Sequence, residues 1–484
     1  MKNRFLVFLI VLVLLLFIPF VGLLVSHLIE GKYEANFVQY ITSNFNISNE
    51  QIKLTGMTLE KVCKNETTFS MCSSKNDLDL LKIASILSII FGFGLVFFVI
   101  LARKIIGLNR KILALLFSPI TILTMFGLSL SIVVQGGILI FCIYISEVVY
   151  LDLYHPKLIF VLALSTIITA YIIISSGFSS LKNNTTEIIG EKITNKNGQD
   201  LIDFINDIAE KIDARAPDNI ILGLEPTFYV TAVNVSLKKE TKKLVGTTMY
   251  LPLPFLSILS KEELSSVIGH ELGHFKGEDT FYAMRFYPSY FRLYKAINDI
   301  NKNQSFIGLP ALATLNFVLN EFSITECSIG RTREFEADKV GASVASSLSL
   351  IIALLKLIEF SVVWDELRLI NIQQLNEGIF NNDMSVLYCA LSDHIYKDLD
   401  FDKTVQVLLS SQISHLTDTH PTIKERMEAL KIDYNALTKE LLKPANSDLT
   451  DYLSQYKSLD YSLSIREHRL MIDLGIAVLP PKIE

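Results

Sequence analysis

Four long stretches without a charged residue dominate the N-terminal part of this 484-residue chain. They cover residues 5–26, 83–102, 112–146 and 158–181. Each reaches the roughly 18 to 20 residues with which an α-helix crosses a bilayer. We therefore predict a membrane domain over residues 1–181 with about four transmembrane helices. Residues 182–484, where charged residues return and apolar positions become periodic, are expected to form a water-facing domain.

The basic residues beside these stretches predict their orientation, because positive charge collects on the cytoplasmic side of a membrane. Lys2 and Arg4 flank the start of the first stretch. The short link after the second stretch contains Arg103, Lys104, Arg110 and Lys111. Both places are therefore expected in the cytoplasm, with an extracytoplasmic loop at residues 28–82. The first stretch is longer than the apolar core of a signal peptide, about 7 to 15 residues, so we favour an uncleaved anchor over a cleaved leader.

The third stretch leaves two topologies open. Its 35 residues exceed the roughly 20 that one crossing needs, and Gln135-Gly136-Gly137 could divide it into a span and a re-entrant or second span. A complete second span would move the C-terminal domain across the membrane. We adopt four crossings, which leave that domain on the cytoplasmic side.

The outer loop contains Cys63 and Cys72 in "CKNETTFSMC". In an oxidising compartment two cysteines so close in sequence can form a disulfide, and two free thiols are the alternative. The other three cysteines form no CxxC motif. Metal binding by cysteine is therefore not expected.

The water-facing domain combines helices with a few strands. "DLIDFINDIAEKI" has one apolar helical face, whereas "TFYVTAVNV" and "KLVGTTMYL" predict paired strands joined by a polar loop. Ser260 and Glu263 form a capping box that begins a helix through "LSSVIGHELGHF". The later run "SLIIALLKLIEFSVVW" contains Lys356 and Glu359, so we predict a core helix there and not a fifth span.

The "VIGHELGHFKGED" segment predicts a metal centre on the capped helix. Residues four apart share a helix face, so His270 and His274 can bind one zinc ion with Glu271 beside it. A catalytic zinc site needs a third protein ligand. Glu334 and Asp338 in "GRTREFEADKVGA" offer one carboxylate for the metal and one to orient a histidine. Glu336 is a competing ligand, and a solvated helix face is the alternative explanation for this charged run.

Three motifs together resemble a known family. "VIGHELGHFKGEDT", "TREFEADKVGA" and "DTHPTIKERMEAL" occur in the order found in the membrane metallopeptidases that include HtpX and the CAAX prenyl proteases. The resemblance implies a mainly α fold, in which N-terminal transmembrane helices precede a zincin-type α+β metalloprotease domain with a small β-sheet. We expect this domain to cover residues 182–484 and to end in a C-terminal helical tail. It also implies that "TFYVTAVNV" is an edge strand able to hold substrate as an added strand.

The same resemblance assigns roles to individual residues. One zinc ion per subunit would be held by His270, His274 and Glu334, with Glu271 as general base. Asp338 and Asp279 correspond to the family residues that support the ligands. His420 and Arg426 correspond to the catalytic residues that line the oxyanion side of the cleft.

These features predict an integral-membrane zinc endopeptidase of a bacterial inner or cell membrane. Its expected partners are the lipid bilayer and protein or peptide substrates, chiefly membrane proteins under quality control. A CAAX-type prenyl-peptide protease, a signalling protease that cleaves a regulator and a non-catalytic membrane scaffold are the alternatives. The sequence has no basic stripe, Walker loop or GxGxxG fingerprint, so nucleic-acid binding is not expected.

Overall fold

A computed structural model describes residues 2–45, 47–65, 70–179, 185–238, 243–276, 278–302, 308–410, 420–447 and 452–480. These residues are mainly helical. The α-helices are α1 (Lys2–Phe45), α2 (Asn49–Thr55), α3 (Leu59–Asn65), α4 (Ser70–Ile106), α5 (Arg110–Leu151), α6 (Pro156–Ser179), α7 (Asn195–Lys211), α8 (Leu253–Ile258), α9 (Lys261–Gly273), α10 (Glu278–Lys302), α11 (Leu309–Val344), α12 (Ser347–Asn376), α13 (Met384–Asp398), α14 (Phe401–Ser410), α15 (Ile423–Leu430) and α16 (Tyr456–Asp473).

The strands form two small sheets, which the sequence patterns did not separate. They are β1 (Thr185–Ile188), β2 (Glu191–Lys192), β3 (Asn219–Gly223), β4 (Tyr229–Thr231), β5 (Asn234–Leu237), β6 (Lys243–Leu244) and β7 (Thr248–Pro252). One sheet has the order β1-β5-β6 and the other β2-β3-β7-β4. The predicted pairing is present twice, because β5 pairs antiparallel with β6 and β4 with β7. In the second sheet β4 is an edge strand, and it contacts α9.

Five of the described helices are long and apolar enough to cross a membrane, namely α1, α4, α5, α6 and α12. Helix α5 continues through Gln135-Gly136-Gly137, so the break considered from the sequence is not present. The buried Gln135 has a structural role. Pro19 interrupts α1 and removes the N–H that would bond the carbonyl of Leu15, and Gln135 Nε2 donates to that carbonyl over 2.8 Å.

The predicted outer loop is largely helical. Helix α1 continues to Phe45, α2 and α3 follow, and α4 already begins at Ser70. A disulfide joins Cys63 of α3 to Cys72 of α4. The bridge ties α3 to the first turn of α4.

The chain divides into two compact units. One comprises Met1–Gly107, Leu115–Lys182 and Ser289–Phe322, and the other comprises Leu108–Ala114, Asn183–Pro288 and Ser323–Glu484. In the first unit, ring contacts join the Ser289–Phe322 segment to the N-terminal helices, for example Phe117 to Phe322 with centroids 5.3 Å apart. The first unit thus combines the N-terminal helices with a later segment, and the domain boundary expected after residue 181 stays a prediction.

The second unit has a large apolar core that includes the C-terminal tail. Leu453, Leu459 and Leu463 are buried with Leu264 and Ile268 of α9 in one cluster. The tail therefore contributes to the core beneath the histidine-bearing helix, although the sequence offered no role for it.

Helix α12 lies in this second unit and carries a buried ion pair. Lys356 is 2 % exposed, and its Nζ lies 2.9 Å from both carboxylate oxygens of Glu263 in α9. The apolar residues beside Lys356 are packed against α9, α13 and α15. Core packing therefore accounts for the apolar composition of α12.

This ion pair yields a stability prediction. Lys356→Met leaves the buried Glu263 carboxylate without its partner, and we expect the free energy of unfolding to fall by about 3–5 kcal/mol. Denaturant unfolding of the purified protein in detergent measures the change. The double variant Glu263→Gln/Lys356→Met removes both charges and should recover most of the loss. A change below about 1 kcal/mol in the single variant would show that the pair behaves as an exposed ion pair does and is not a buried one.

Candidate active site

The candidate site begins at the N-terminus of α9, where the predicted capping box is present. Ser260 Oγ accepts from the backbone N–H of Glu263, and the Glu263 carboxylate accepts from the N–H of Ser260. The fixed start of the helix sets the direction of its later residues. One turn apart at its C-terminal end, His270 and His274 face the same side, with ring centroids 4.9 Å apart.

Glycines allow α9 and α11 to cross at close range. A Cβ atom on Gly341 of α11 would lie 2.5 Å from the carbonyl oxygen of Ser266 and 3.0 Å from Cβ of His270. A Cβ on Gly269 of α9 would lie 2.5 Å from Val344. The role of these glycines was not predicted from the sequence. Their positions could have indicated a close helix crossing, because Gly269 immediately precedes the first histidine and Gly341 follows Asp338 by one helical turn.

The crossing brings Glu334 to both histidines. Its carboxylate oxygens lie 3.3 Å from Nε2 of His274 and 3.6 Å from Nε2 of His270. One ligand atom from each of the three side chains lies within 4.8 Å of the other two. His270 and Glu334 are buried and His274 is half-buried, so the cluster is largely shielded from water.

Asp338 supports the cluster from behind. It is fully buried, and its Oδ1 lies 3.0 Å from Nδ1 of His270. A proton held on Nδ1 leaves the Nε2 lone pair free for a metal. Arg426 is also buried and donates to both oxygens of Asp338, from Nε over 2.8 Å and from Nη2. Burial alone would raise the pKa of Asp338, but the contacts of His270 and Arg426 lower it.

The carboxyl groups of Glu271 and Glu334 differ in protonation. Burial raises the pKa of Glu271 to about 7, and the opposing effect of His270 is smaller. Burial also acts on Glu334, but contacts with His274 and His420 outweigh it and hold the pKa of Glu334 well below its usual range. Glu334 therefore stays an anion, as a metal ligand must, while Glu271 can accept and return a proton near neutral pH.

The remaining predicted residues are placed as follows. The His420 side chain is 70 % exposed, and its Nδ1 lies 3.1 Å from a Glu334 oxygen. Arg426 Nη1 is 3.9 Å from the same oxygen, whereas its other donors are used by Asp338. Glu336, the competing ligand, points elsewhere and forms two 2.9 Å bonds with Arg110. The side chain of Asp279 lies outside the described residues.

The three clustered side chains fit a zinc ion by the chemistry of their donors. Two imidazole nitrogens and one carboxylate oxygen form a ligand set of catalytic zinc sites, which keep a further position for water or substrate. Both histidines turn Nε2 toward Glu334, and His270 has the carboxylate partner that zinc-binding histidines commonly have. In the described part of the chain, no other group of three His, Cys, Asp or Glu side chains brings its ligand atoms within 4.8 Å of one another.

Comparison with known proteins bears on this site. Residues 242–432 match the model of peptidase family M48. The matched segment contains all the clustered residues, and the resemblance drawn from the three motifs is thereby confirmed for this part of the chain. No solved structure matches the chain significantly.

Three relatives share the name protease HtpX homolog. The protein from Picrophilus torridus is 26 % identical over 247 residues, which are 48 % of this chain and 71 % of the relative. The protein from Thermoplasma volcanium is 30 % identical over 149 residues, 27 % of this chain and 47 % of the relative. The protein from Sulfurihydrogenibium sp. is 25 % identical over 189 residues, 36 % of this chain and 57 % of the relative. The chain thus spans about half the length of the latter two. Together with the M48 match, these relatives support a membrane-associated metalloprotease.

The glycine crossing of the M48 segment can be tested directly. Gly341→Ala places a methyl group against the backbone of α9 and should separate the histidines from Glu334. We expect zinc affinity to fall at least about tenfold, because ligand positions tolerate only small displacements. Competition with a chromogenic chelator measures the affinity. Gly137→Ala, which adds a methyl group to open space in α5, should bind zinc as the wild type does, and equal affinity in both variants would refute the crossing argument.

The role of Asp338 gives a second test. Asp338→Asn removes the anionic partner of His270, and loss of such a partner lowers metal affinity about 10- to 100-fold. The same chelator competition applies. Glu336→Gln changes a carboxylate two residues earlier on α11 that does not face the cluster, so its affinity should stay at the wild-type value. If both variants lose affinity equally, general helix charge and not the His270 contact would explain the effect.

Proposed function

We propose that this chain is a membrane-anchored zinc endopeptidase with one zinc ion per subunit. The observation that carries the proposal is the convergence of His270, His274 and Glu334 beside Glu271, inside a segment that matches a peptidase family. Apolar helices of membrane-spanning length precede that segment. Together they favour hydrolysis of peptide bonds at a membrane.

The residues divide the chemistry between them. His270, His274 and Glu334 would hold the metal. Zinc, when bound, supplies Lewis acidity that polarises a substrate carbonyl and makes water more acidic. Glu271 takes the proton from the attacking water and returns it to the leaving amine, as a general base and then a general acid. Asp338 fixes the His270 ring and thereby the direction of its Nε2.

His420 and Arg426 support this chemistry in different ways. The exposed imidazole of His420 beside the Glu334 carboxylate supports a role as a hydrogen-bond donor to the oxyanion that forms on attack. Three observations favour a positioning role for Arg426: its guanidinium is buried, two of its donors are used by Asp338, and only Nη1 approaches Glu334. The sequence-based expectation that His420 and Arg426 line the oxyanion side of the cleft stays a prediction, and within it we propose the direct contact for His420.

We further propose that substrates are protein segments in extended conformation, chiefly from membrane proteins under quality control. The free edge of β4 beside α9 supports this, because a substrate strand added there would run next to the histidine-bearing helix. Backbone hydrogen bonds at a sheet edge require little sequence preference, which suits a protease for damaged proteins. The basic link after α4 favours a cytoplasmic location for the active site.

The decisive test separates metal binding from catalysis. We expect Glu271→Gln to retain zinc and to cleave casein about 10²- to 10⁴-fold more slowly, which is the usual contribution of a general base. Glu262→Gln, an exposed change on the same helix, should leave the rate unaltered. Zinc content and cleavage rate are measured on the same detergent-purified samples. Equal cleavage by Glu271→Gln and the wild type would reject the proposal and favour a non-catalytic scaffold.

A further inference from the structure

The second unit contains a basic cavity outside the candidate active site. Its volume is about 220 Å³, several times the share of a single water molecule, about 30 Å³. Its polar lining comes from the residue after β5 and from α16, and comprises Lys238, Arg466, Arg469 and Asp473. Together with Glu191, which pairs with Arg466, the cavity has three cations and two carboxylates, so it keeps a net positive charge that the proposed peptidase chemistry does not use.

One wall of the cavity is held in place. Arg466 donates from Nη1 to the carbonyl of Gly190 over 2.5 Å, and its Nη2 lies 3.4 Å from the Glu191 carboxylate. Ser462 Oγ fixes the same carboxylate over 2.9 Å. A Cβ on Gly190 would lie 2.7 Å from the carbonyl oxygen of Leu222, so the turn needs glycine to approach β3. A guanidinium has five N–H donors, and donors beyond those two contacts are left for a ligand.

The other two cations are not neutralised by ion pairs. In the described part of the chain, neither Lys238 nor Arg469 has a carboxylate within 4.0 Å. Glu467 pairs with Arg368 over 3.4 Å and also interacts electrostatically with Lys238, while Glu191 pairs with Arg466. The cavity thus presents two positive charges outside ion pairs beside a guanidinium that is held in place. This arrangement suits a phosphate group.

Apolar residues continue from the cavity along the end of α16 and the segment after it. Leu470 lines the cavity, and Leu474 one turn later is 61 % exposed. Ile476, Val478 and Leu479 are also exposed. Exposed apolar residues next to a basic pocket are typical of a site that receives both the headgroup and the acyl chains of a lipid.

We propose that this cavity binds the phosphate group of an anionic phospholipid, with the acyl chains along Leu470 and Leu474. In sequence, the cavity residue Gly190 follows the end of α6 by only eleven positions. Clustered Lys and Arg side chains near a membrane surface attract anionic headgroups. The proposal concerns a site separate from the metal cluster and does not depend on proteolysis.

Native mass spectrometry of the full-length protein in detergent tests the proposal. The protein is incubated with phosphatidylglycerol or phosphatidylcholine, and the retained lipid is counted for the wild type and for Lys238→Gln/Arg469→Gln. We expect the wild type to retain phosphatidylglycerol preferentially and the double variant to lose affinity about tenfold or more, because each cation near a lipid surface contributes about 1 kcal/mol. Lys403→Gln/Lys457→Gln removes two exposed lysines elsewhere and should bind as the wild type does.

Three results would overturn the lipid assignment. One is equal retention by the wild type and the Lys238/Arg469 double variant. A second is displacement of the lipid by excess inorganic phosphate, which would indicate a soluble phosphate ligand. The third is displacement by a peptide with a free C-terminal carboxylate, which would indicate a peptide site. Zinc content, measured in parallel, should be the same in all variants and shows that each has folded.

Discussion

The close crossing of α9 and α11 is the constraint on which the metal centre depends. Two helices with ordinary side chains at their contact are held about 8–10 Å apart at their axes. Here a Cβ atom at Gly269 or Gly341 would clash with the opposite helix, so the two backbones can approach each other closely only because both residues are glycine. That approach is what allows Glu334 of one helix to reach both imidazoles of the other. The metal ligands are therefore positioned by residues that bear no functional group.

Near that crossing, two sets of buried charges are paired. Asp338 lies between His270 and Arg426, so its negative charge both orients the imidazole and is neutralised. Lys356 and Glu263 form a second pair at the start of α9, where the same glutamate caps the helix. Each pair links a distant part of the chain to the histidine-bearing helix. Loss of one partner would therefore disturb the site as well as the core.

The sequence predicted elements with strong periodicity or local chemistry and missed those that depend on distant contacts. The capped α9 and the pairing of β4 with β7 and β5 with β6 followed from local patterns. The division into two sheets did not, because the short strands β1, β2 and β3 carry little pattern of their own. The hydrogen bond from Gln135 to the carbonyl of Leu15 was also not predictable from local sequence. That carbonyl lacks its usual helical partner because of Pro19, which is 116 positions away from Gln135. At the site, the motif residues were found but the crossing glycines were not.

The central claim is that two histidines and a glutamate from two helices bind one divalent cation. Zinc K-edge X-ray absorption of the purified, zinc-loaded protein tests it most directly. The account predicts one zinc per chain with two imidazole nitrogens at about 2.0–2.1 Å, further oxygen ligands at about 2.0–2.2 Å and no sulfur. Glu334→Ala should alter the oxygen shell and leave both imidazoles in place. A sulfur shell, or a spectrum unchanged by Glu334→Ala, would contradict the account.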